Sequence, residues 1–476
     1  MISKINFVLN NESVTAEVNP AITVLDYLRS NKKLTGTKEG CREGDCGACT
    51  VIIGTLEKNK INYKTVNSCL MPVVDLNGKH IVTIEGLNEH GLSAVQENMV
   101  DEGGTQCGFC NPGFIMYITN YFLTHSEYSL DEAVDALDGN ICRCTGYEGI
   151  KRSVNNVVEI LKNENGSKHD LNLLIDHKII PQYFLNVPKL LKNLQKDFIE
   201  KKTPKRKAKV NYLVSGGTDL YVQRWDELYG SEINFISSLN TSENISKSKN
   251  ILIIKGTTTI EEFKESKVVQ KYFPQLKDSL KLFGSLPIRN RATIAGNIVN
   301  ASPIADAANI LLALNAKVVL TNKNKKRRFP LDEFYVGYKK TKLNAGEIIG
   351  TVEIEIPKKG FLFNYEKVSR RTYLDIASVN SSMLVEMKKD TIKNVRLSAG
   401  GVAPIPFLLS NTSSFLIGKI INNETIDEAC KIAALEISPI GDARGSKEYK
   451  TLLLQKLIVA HFIKLFPELN YTGARL

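Results

Sequence analysis

Eight of the nine cysteines lie between positions 41 and 144, and their spacing indicates metal–sulfur chemistry. The first four follow a C-x4-C-x2-C run with one distant cysteine, and they are Cys41, Cys46, Cys49 and Cys69. This spacing is typical of a [2Fe–2S] cluster, which needs four thiolates around a compact anion. Gly40, Gly44 and Gly47 allow the tight loop that turns amide groups toward the sulfurs. Structural zinc favours paired C-x2-C knuckles, so the x4 gap argues against zinc.

The second group of cysteines combines a C-x2-C pair in TQCGFCNPGF with a C-x-C pair in GNICRCTGY, namely Cys107, Cys110, Cys142 and Cys144. Taken alone, two such pairs also suit zinc. Each pair is expected at a helix terminus, where two helical hairpins could hold one cluster between them. Because the group follows a first [2Fe–2S] unit, we predict a second cluster and hence a one-electron relay. Cys430, alone in IDEACKIAAL, is predicted to be a buried structural thiol.

Two segments have the small residues that a nucleotide-binding backbone needs. Residues 213–220, LVSGGTDL, predict a strand that runs into a Gly-Gly turn able to present amides to a pyrophosphate. It is not a G-x-G-x-x-G fingerprint, and a plain tight turn explains it equally well. Residues 284–316 add Ala295, Gly296, Ala301 and Ser302, which would let the backbone approach a ligand, and Asp306, which could accept from ribose or adenine groups. A glycine-rich crossover without a ligand stays open as the alternative.

The rest of the chain predicts the elements that position these residues. Alternation over 4–10 and 13–19 predicts a hairpin, followed by a short helix near 24–29 and a strand at 50–53. Residues 88–162 are predicted to be helical, with Ser129 and Glu132 as a capping box and Pro112 in a first turn. Further predictions are a linker near 162–178, strands at 210–214, 251–254 and 377–387, and helices at 425–436 and 447–466.

The composition indicates a cytoplasmic globular protein of several domains. The chain has 476 residues, 43% hydrophobic and 24% charged, with no run long enough to span a bilayer and no signal peptide. The net charge of +11 is partly local, since residues 201–209 hold six basic and no acidic side chains. Such a run is usually a solvated linker, so we expect neither nucleic acid nor membrane as a partner. Crowded cysteines in a cytosolic chain favour metal over disulfides.

With these motifs together, the chain resembles the molybdenum hydroxylases, most nearly the iron–sulfur and flavin small subunit of two-subunit xanthine dehydrogenases. The cysteine blocks resemble the iron–sulfur half of that family. The flavin half is matched by LVSGGTDL, IRNRATIAGNIVNASPIAD, KVSRRTYLDIA and GDARGSKEYK. The resemblance implies an α+β multidomain chain with a β-grasp ferredoxin domain, a four-helix-bundle cluster domain, a flavin domain of the vanillyl-alcohol-oxidase type and a CO-dehydrogenase-flavoprotein-like domain. The expected bounds are 1–87, 88–162, a linker at 163–178, 179–360 and 361–476.

The resemblance also implies site residues, carried over position by position. Both cysteine groups would be the metal ligands. The FAD contacts would be Leu213, Val214, Ser215, Gly216, Gly217, Thr218, Asp219, Leu220, Phe283, Thr293, Ile294, Ala295, Gly296, Asn297, Asp306, Ile349 and Lys367. Phe283 would lie against the isoalloxazine ring, and Ile349 rests on an alignment that needs a short gap. The loop SRRTYLD, after Lys367, would lie near the flavin and affect access of NAD.

Two departures from the family pattern limit what the resemblance implies. The flavin loop keeps only Asp375 of the acidic pair that some members have, which leaves NAD or oxygen open as the final acceptor. A molybdopterin domain is missing, so the chain would not hydroxylate purines alone and would need a large molybdenum subunit, in a dimer of heterodimers. In that assembly electrons from hypoxanthine or xanthine, oxidised to urate in purine catabolism, would pass through both clusters and FAD to NAD. No side chain of this chain is expected to be catalytic.

Three alternatives remain on sequence grounds. The first is another molybdenum hydroxylase, acting on an aldehyde, nicotinate or carbon monoxide; fusion of the iron–sulfur and flavin parts favours xanthine dehydrogenase. The second is an oxidase that differs only in reducing oxygen. The third, of another class, is a zinc-stabilised protein that binds nucleic acid through its basic linker, which predicts a colourless protein with salt-sensitive DNA binding.

Overall fold

The computed structural model describes residues 2–89, 91–162, 170–199, 212–236, 244–323, 325–357 and 360–472. The chain divides into two compact units. The first comprises Met1–Ser238 and Ser285–Arg291, and the second comprises Leu239–Gly284 and Ala292–Leu476. The predicted basic linker at 201–209 lies outside the described residues.

The first unit begins with a five-stranded sheet in the order β2-β1-β5-β3-β4. The predicted hairpin is confirmed, because β1 and β2 pair in antiparallel register, while β5 joins β1 in parallel. The alternating side chains of these strands bury one face against Val24 and Leu28, as a half-buried sheet requires. The elements are β1 (Ser3–Leu9), β2 (Glu12–Val18), α1 (Val24–Asp26) continued by a π turn (Tyr27–Asn31), β3 (Thr50–Glu57), β4 (Lys60–Asn67) and β5 (His80–Val82).

Four helices follow, as the sequence predicted. They are α2 (Ala94–Asp101), α3 (Asn111–Thr124), α4 (Leu130–Asp135) and α5 (Glu148–Lys162). Pro112 lies in the first turn of α3, where its missing N–H costs nothing. Ser129 caps α4 by accepting from the Glu132 amide at 3.2 Å. A full capping box, with contacts in both directions, is present in α2 between Ser93 and Gln96.

Part of the predicted linker at 163–178 is helical. Residues 163–169 lie outside the described residues, but α6 (Leu171–Asp176) is a capped helix with Leu174 buried in the helical core. The linker prediction rests on the Asn and Lys residues of this stretch, whereas the helix follows the apolar i, i+3 pattern of LNLLID. The unit continues with α7 (Val187–Ile199), β6 (Tyr212–Val214), α8 (Leu220–Gln223), α9 (Trp225–Tyr229) and β7 (Ile233–Phe235), with β6 and β7 parallel.

The segment Ser285–Arg291, which contains α13 (Leu286–Arg289), folds with the first unit although its sequence neighbours belong to the second. The Asn290 amide donates to the Thr65 carbonyl at 2.9 Å. Arg289 approaches Asp138 at 3.7 Å, with both side chains almost fully buried. Buried charges persist only when paired, so these contacts anchor the segment to the sheet and helices of the first unit.

The second unit contains an antiparallel five-stranded sheet and an antiparallel four-stranded sheet. The first has the order β11-β10-β14-β9-β8 and the second β15-β16-β17-β18. The elements are β8 (Ile245–Ser248), β9 (Ile251–Lys255), α10 (Ile260–Glu265), α11 (Lys267–Tyr272), α12 (Leu276–Lys281), α14 (Ile294–Asn300), α15 (Asp306–Ala313), β10 (Lys317–Asn322), β11 (Lys325–Pro330), β12 (Tyr335–Gly337), β13 (Lys340–Thr341), β14 (Ile348–Glu355), β15 (Phe361–Val368), β16 (Val379–Lys388), β17 (Thr391–Gly400), β18 (Phe407–Leu408), α16 (Ser410–Leu416), α17 (Asn423–Glu436) and α18 (Lys447–Leu465).

The core of the four-stranded sheet contains a buried cysteine and a buried histidine. Cys430 is fully buried in α17, as predicted for a structural thiol. His461 of α18 is also fully buried, between the Ser381 hydroxyl at 3.0 Å and the Asn364 amide at 2.9 Å. Burial lowers the pKa of His461 to about 3, so the ring is neutral in the folded protein.

We expect the free energy of unfolding to fall as the pH drops below the ordinary histidine pKa. In that range His461 binds a proton in the unfolded chain but stays neutral in the folded protein. Each pH unit below 6.5 should cost about 1.4 kcal/mol for this group, or about 2 kcal/mol at pH 5. Urea unfolding followed by circular dichroism at pH 7.5 and 5 measures this. His461→Asn should reduce the dependence and leave the part due to buried His80, whose pKa burial lowers to about 4. The exposed-site substitution His125→Asn should leave the dependence unchanged; equal slopes in all three proteins would contradict the assignment.

Candidate functional site

The first four cysteines converge at one end of the β-sheet of the first unit. Cys41, Cys46 and Cys49 lie on the loop that leads into β3, and Cys69 lies on the 3-10 turn Ser68–Leu70 after β4. Cys49 and Cys69 face each other with their sulfurs 3.3 Å apart. Cys41 and Cys46 form the other pair through a thiol hydrogen bond. The antiparallel pairing of β3 with β4 brings the distant Cys69 back to the loop.

The backbone of this loop turns its amides toward sulfur. The Glu43 and Cys46 amides donate to the Cys41 sulfur at 3.3 and 3.4 Å. A hydrogen bond from the Cys46 thiol, reinforced by these amides, lowers the pKa of Cys41 to about 5. Gly44 and Gly47 have φ of +81° and +72°, which other residues adopt only with strain. The amides of this loop therefore stabilise negative charge on the Cys41 sulfur, whereas the pKa of its hydrogen-bonded partner Cys46 is raised.

The second four cysteines converge between helices. Cys107 and Cys144 have sulfurs 3.5 Å apart, and the Cys110 thiol is hydrogen-bonded to that of Cys142. Cys110 is the N-cap of α3, and the C-x-C pair lies shortly before α5. Both cysteine pairs thus lie at or close to a helix start, as the sequence predicted. Cys107 and Cys144 are exposed whereas Cys110 and Cys142 are buried, so the outer edge of this group faces the surface of the chain.

The pairing of the sulfurs favours a dinuclear cluster over a single metal ion. In a [2Fe–2S] cluster each iron takes two protein thiolates, so four cysteines are expected as two close pairs. Both groups have this arrangement. The residues present therefore fit two [2Fe–2S] clusters.

The predicted flavin segment Leu213–Leu220 spans the end of β6, a turn and the start of α8 in the first unit. Gly217 has φ of +80°, which explains the second glycine of the turn. The Gly216 carbonyl accepts from both Nη2 and Nε of Arg291, at 2.7 and 3.1 Å. Arg291 also pairs with Asp75 at 2.8 Å, and both side chains are more than nine-tenths buried. Sequence reasoning missed Arg291 and Asp75, although Arg291 lies within the quoted IRNRATIAGN motif.

The remaining predicted flavin residues belong to the second unit. Thr293 caps α14 by accepting from the Gly296 amide at 3.1 Å, and it is buried together with Ile294 and Ala295. Gly296 is exposed and Asn297 is half-buried. The Asn297 side-chain Oδ1 accepts from the Ala308 backbone amide at 3.1 Å. The structure therefore leaves the Gly296–Asn297 edge of this motif as the accessible part.

The structure brings Asp306 and Lys367 together, which the sequence did not predict. Their charged groups are 2.7 Å apart, and Lys367 also donates to the Leu282 carbonyl, next to Phe283, at 2.7 Å. Tyr365 and Asn380 donate to the same Asp306 oxygen. The Asp306 carboxylate thus accepts from three side chains, Lys367, Tyr365 and Asn380.

Phe283 and Ile349 differ in how accessible their side chains are to a ligand. Phe283 is half-buried and follows α12. Ile349 is 4% exposed within β14, and its carbonyl oxygen would lie 2.1 Å from a Cβ on Gly256. Its side chain packs in the core, so contact with a ligand there would be made by the backbone.

The loop SRRTYLD lies beside the GDARGS segment. Arg370 donates to the Ala443 carbonyl at 2.8 Å, and Arg371 approaches Asp375 at 3.7 Å. Buried Lys450 holds the GDARGS segment by bonds to Asp442 and the Ile440 carbonyl, at 2.8 and 2.9 Å. The SRRTYLD and GDARGS motifs, which are far apart in the sequence, therefore form one surface of the second unit.

Four protein-family models match successive parts of the chain. They are a 2Fe-2S iron–sulfur cluster binding domain at residues 7–74, a [2Fe-2S] binding domain at 83–155, an FAD binding domain in molybdopterin dehydrogenase at 195–359 and a CO dehydrogenase flavoprotein C-terminal domain at 364–465. The chain is an iron–sulfur and FAD member of the molybdenum hydroxylase family. The predicted fold class, with two [2Fe–2S] domains, an FAD-binding domain and a C-terminal flavoprotein domain, is confirmed.

Family members with different names are about equally similar to the chain. It is 29% identical over 478 residues to xanthine dehydrogenase of Emericella nidulans, which covers 87% of this chain and 35% of that protein. It is 30% identical over 547 residues to human aldehyde oxidase, which covers 98% of this chain and 39% of that protein. The chain thus spans between a third and two fifths of the length of these curated relatives.

A solved structure, reconstituted CO dehydrogenase from Oligotropha carboxidovorans, matches 53% of this chain and 88% of its own chain. The identity is 22% and the TM-score 0.51, which shows a shared fold over the matched part. Among the described residues, none of the helices has the length and apolar character that crossing a membrane requires.

Proposed function

We propose that this chain is the iron–sulfur and FAD subunit of a xanthine dehydrogenase, working with a separate molybdenum subunit and NAD. The observation that carries the proposal is the arrangement of eight cysteines as four close sulfur pairs in one unit. The flavin-domain matches support the FAD part. When bound, the clusters pass single electrons from the partner's molybdenum centre, and FAD joins two of them for hydride transfer to NAD⁺.

The metal ligands in this proposal are Cys41, Cys46, Cys49 and Cys69 for one cluster and Cys107, Cys110, Cys142 and Cys144 for the other. The polypeptide holds and tunes these groups rather than reacting itself. The amides around Cys41 stabilise negative charge, and burial of Cys49 and Cys69 keeps water from that pair. Exposure of Cys107 and Cys144 supports the second group as the one nearer the partner subunit.

For FAD we keep the contacts predicted from the resemblance, with Gly217 and Gly296–Asn297 as the accessible backbone. Positive φ at Gly217 and exposure of Gly296 support these two. Lys367 is oriented by Asp306, and Phe283 is close in sequence to the Leu282 carbonyl that Lys367 binds. We propose a heterotetramer of two small and two large chains, located in the cytoplasm, where thiols stay reduced.

The second candidate is the corresponding part of an aldehyde-oxidising member of the family. It is supported equally by the comparisons, since the chain is 30% identical to human aldehyde oxidase and 29% identical to the fungal xanthine dehydrogenase. Purifying the natural complex with its large subunit and comparing hypoxanthine with an aromatic aldehyde as substrate separates the two candidates. Turnover of the aldehyde alone would reject the xanthine assignment and leave the family assignment intact.

We expect a visible absorption spectrum with overlapping iron–sulfur and flavin bands, and about four iron atoms and one FAD per chain. Adding NADH anaerobically should bleach both chromophores, because hydride transfer to FAD is reversible and the clusters equilibrate with it. Bound clusters and FAD without bleaching would contradict NAD as the acceptor. A properly folded, colourless protein containing zinc would reject the proposed function as a whole.

A further inference from the structure

The loops of the two cysteine groups meet through a direct backbone contact. The Ile141 amide donates to the Cys46 carbonyl at 3.1 Å. Cys46 belongs to the first group, and Ile141 immediately precedes Cys142 of the second. A single hydrogen bond therefore joins a cysteine of one group to the neighbour of a cysteine in the other.

This contact exists because glycines surround it. A Cβ on Gly47 would lie 2.3 Å from the Gly139 carbonyl oxygen, and one on Gly113 would lie 2.4 Å from the Gly47 carbonyl oxygen. Both distances are well below any van der Waals contact, so side chains at these positions would force the loops apart. Gly47 also has φ of +72°, which adds a second reason for glycine there.

Asn140 fills the space between these glycines. It is 6% exposed, and neither its Nδ2 nor its Oδ1 has a hydrogen-bond partner among the described residues. Its Oδ1 would lie 2.4 Å from a Cβ on Gly47 and 2.7 Å from one on Gly113. Leaving such a buried amide unpaired costs about 1–3 kcal/mol, so a partner outside the polypeptide is expected. The sulfur atoms of a cluster bound in the adjoining loops are acceptors of the required kind.

We propose that Asn140 is a positioning residue between the two clusters. Its amide donates a hydrogen bond to a cluster sulfur, and its side chain holds the loops at the separation at which Ile141 bonds to Cys46. The inference rests on the proposed function, since it needs both clusters. A single electron crosses this contact at a time, with one centre oxidised as the other is reduced and no proton moved. The donor stabilises the reduced, more negative state and so raises that centre's potential.

The test uses the complete chain with Asn140→Leu, which keeps the side-chain size and removes the donor. Asn120→Leu is the matched control, because Asn120 is also 6% exposed but lies ten residues beyond Cys110 along α3, about 15 Å away. Low-temperature electron paramagnetic resonance during a redox titration gives both midpoint potentials and the magnetic splitting between the reduced centres. We expect a roughly tenfold shift in the reduction equilibrium of one centre, about 59 mV for one electron.

The outcomes separate the inference from the proposed function. A shifted potential with altered splitting in Asn140→Leu, absent in Asn120→Leu, supports the inference. Wild-type potentials and splitting in Asn140→Leu overturn it while leaving two clusters established. Absence of any cluster signal in the wild-type protein rejects the proposed function itself.

If Asn140→Leu does not assemble its clusters, a measurement on the wild-type protein tests the inference. Labelling with ¹⁵N-asparagine and pulsed resonance should reveal a nitrogen coupling to a cluster. The Asn67 amide lies 4.0 Å from the Cys49 sulfur, and the Asn111 side chain lies 3.8 Å from the Cys110 sulfur. Either could give a similar signal, so the coupling must persist in Asn67→Ser and in Asn111→Ser. Its disappearance in either variant overturns the inference.

Discussion

Replacing Cys69 by serine is expected to halve the iron content, from about four atoms per chain to about two, and to abolish one of two paramagnetic signals. Cys69 forms a buried pair with Cys49, with the sulfurs 3.3 Å apart. Without its thiolate one iron keeps a single protein sulfur, and the remaining site cannot hold the cluster. Iron analysis and low-temperature resonance of the reduced protein measure both effects.

Cys430→Ser is the matched control, because Cys430 is also fully buried but bonds only weakly, to the Gln455 carbonyl at 3.5 Å. It should keep the iron content and both signals, with at most a modest loss of stability. The second signal should survive in Cys69→Ser, since its four cysteines are unchanged. Full iron content in Cys69→Ser would show that Cys69 is not a ligand.

Replacing Arg291 by methionine is expected to destabilise the first unit by about 3–5 kcal/mol, because removing one member of a buried ion pair leaves the other charge buried without that partner. The charge left behind is Asp75, and the Gly216 carbonyl loses two donors at the same time. Since Gly216 begins the proposed flavin turn, the purified variant should also contain less FAD. Urea unfolding and the flavin-to-iron ratio test these two effects separately.

Arg371→Met provides the comparison, because its ion pair with Asp375 is long, at 3.7 Å, and the arginine is exposed. Such surface pairs contribute about 0–1 kcal/mol, so stability and bound FAD should stay near wild type. If Arg291→Met binds FAD normally and unfolds at the same urea concentration, the anchoring role of Arg291 is wrong. Loss of FAD with unchanged stability would restrict that role to the flavin turn.

Much of the fold and the metal chemistry was predictable, because the relevant signals are local. The C-x4-C-x2-C run with its glycines predicts a cluster loop without knowledge of the tertiary structure. Alternation predicted β1 and β2, and 3.6-residue periodicity predicted α17 and α18 within two residues at each end. The predicted linker was wrong at α6, where a short apolar pattern is stabilised by packing of Leu174 against other helices.

The tertiary structure decided which residues meet across long sequence separations. The order of sulfur pairing, Cys41 with Cys46 but Cys107 with Cys144, depends on how strands and helices return the chain. Arg291 with Asp75, and Asp306 with Lys367, are separated by many residues and belong to no common motif. Sequence by itself determined the residue types and local spacings that cofactor chemistry needs. Only folding selects the buried charge pairs, because pairing energy depends on distance and desolvation that no local pattern encodes.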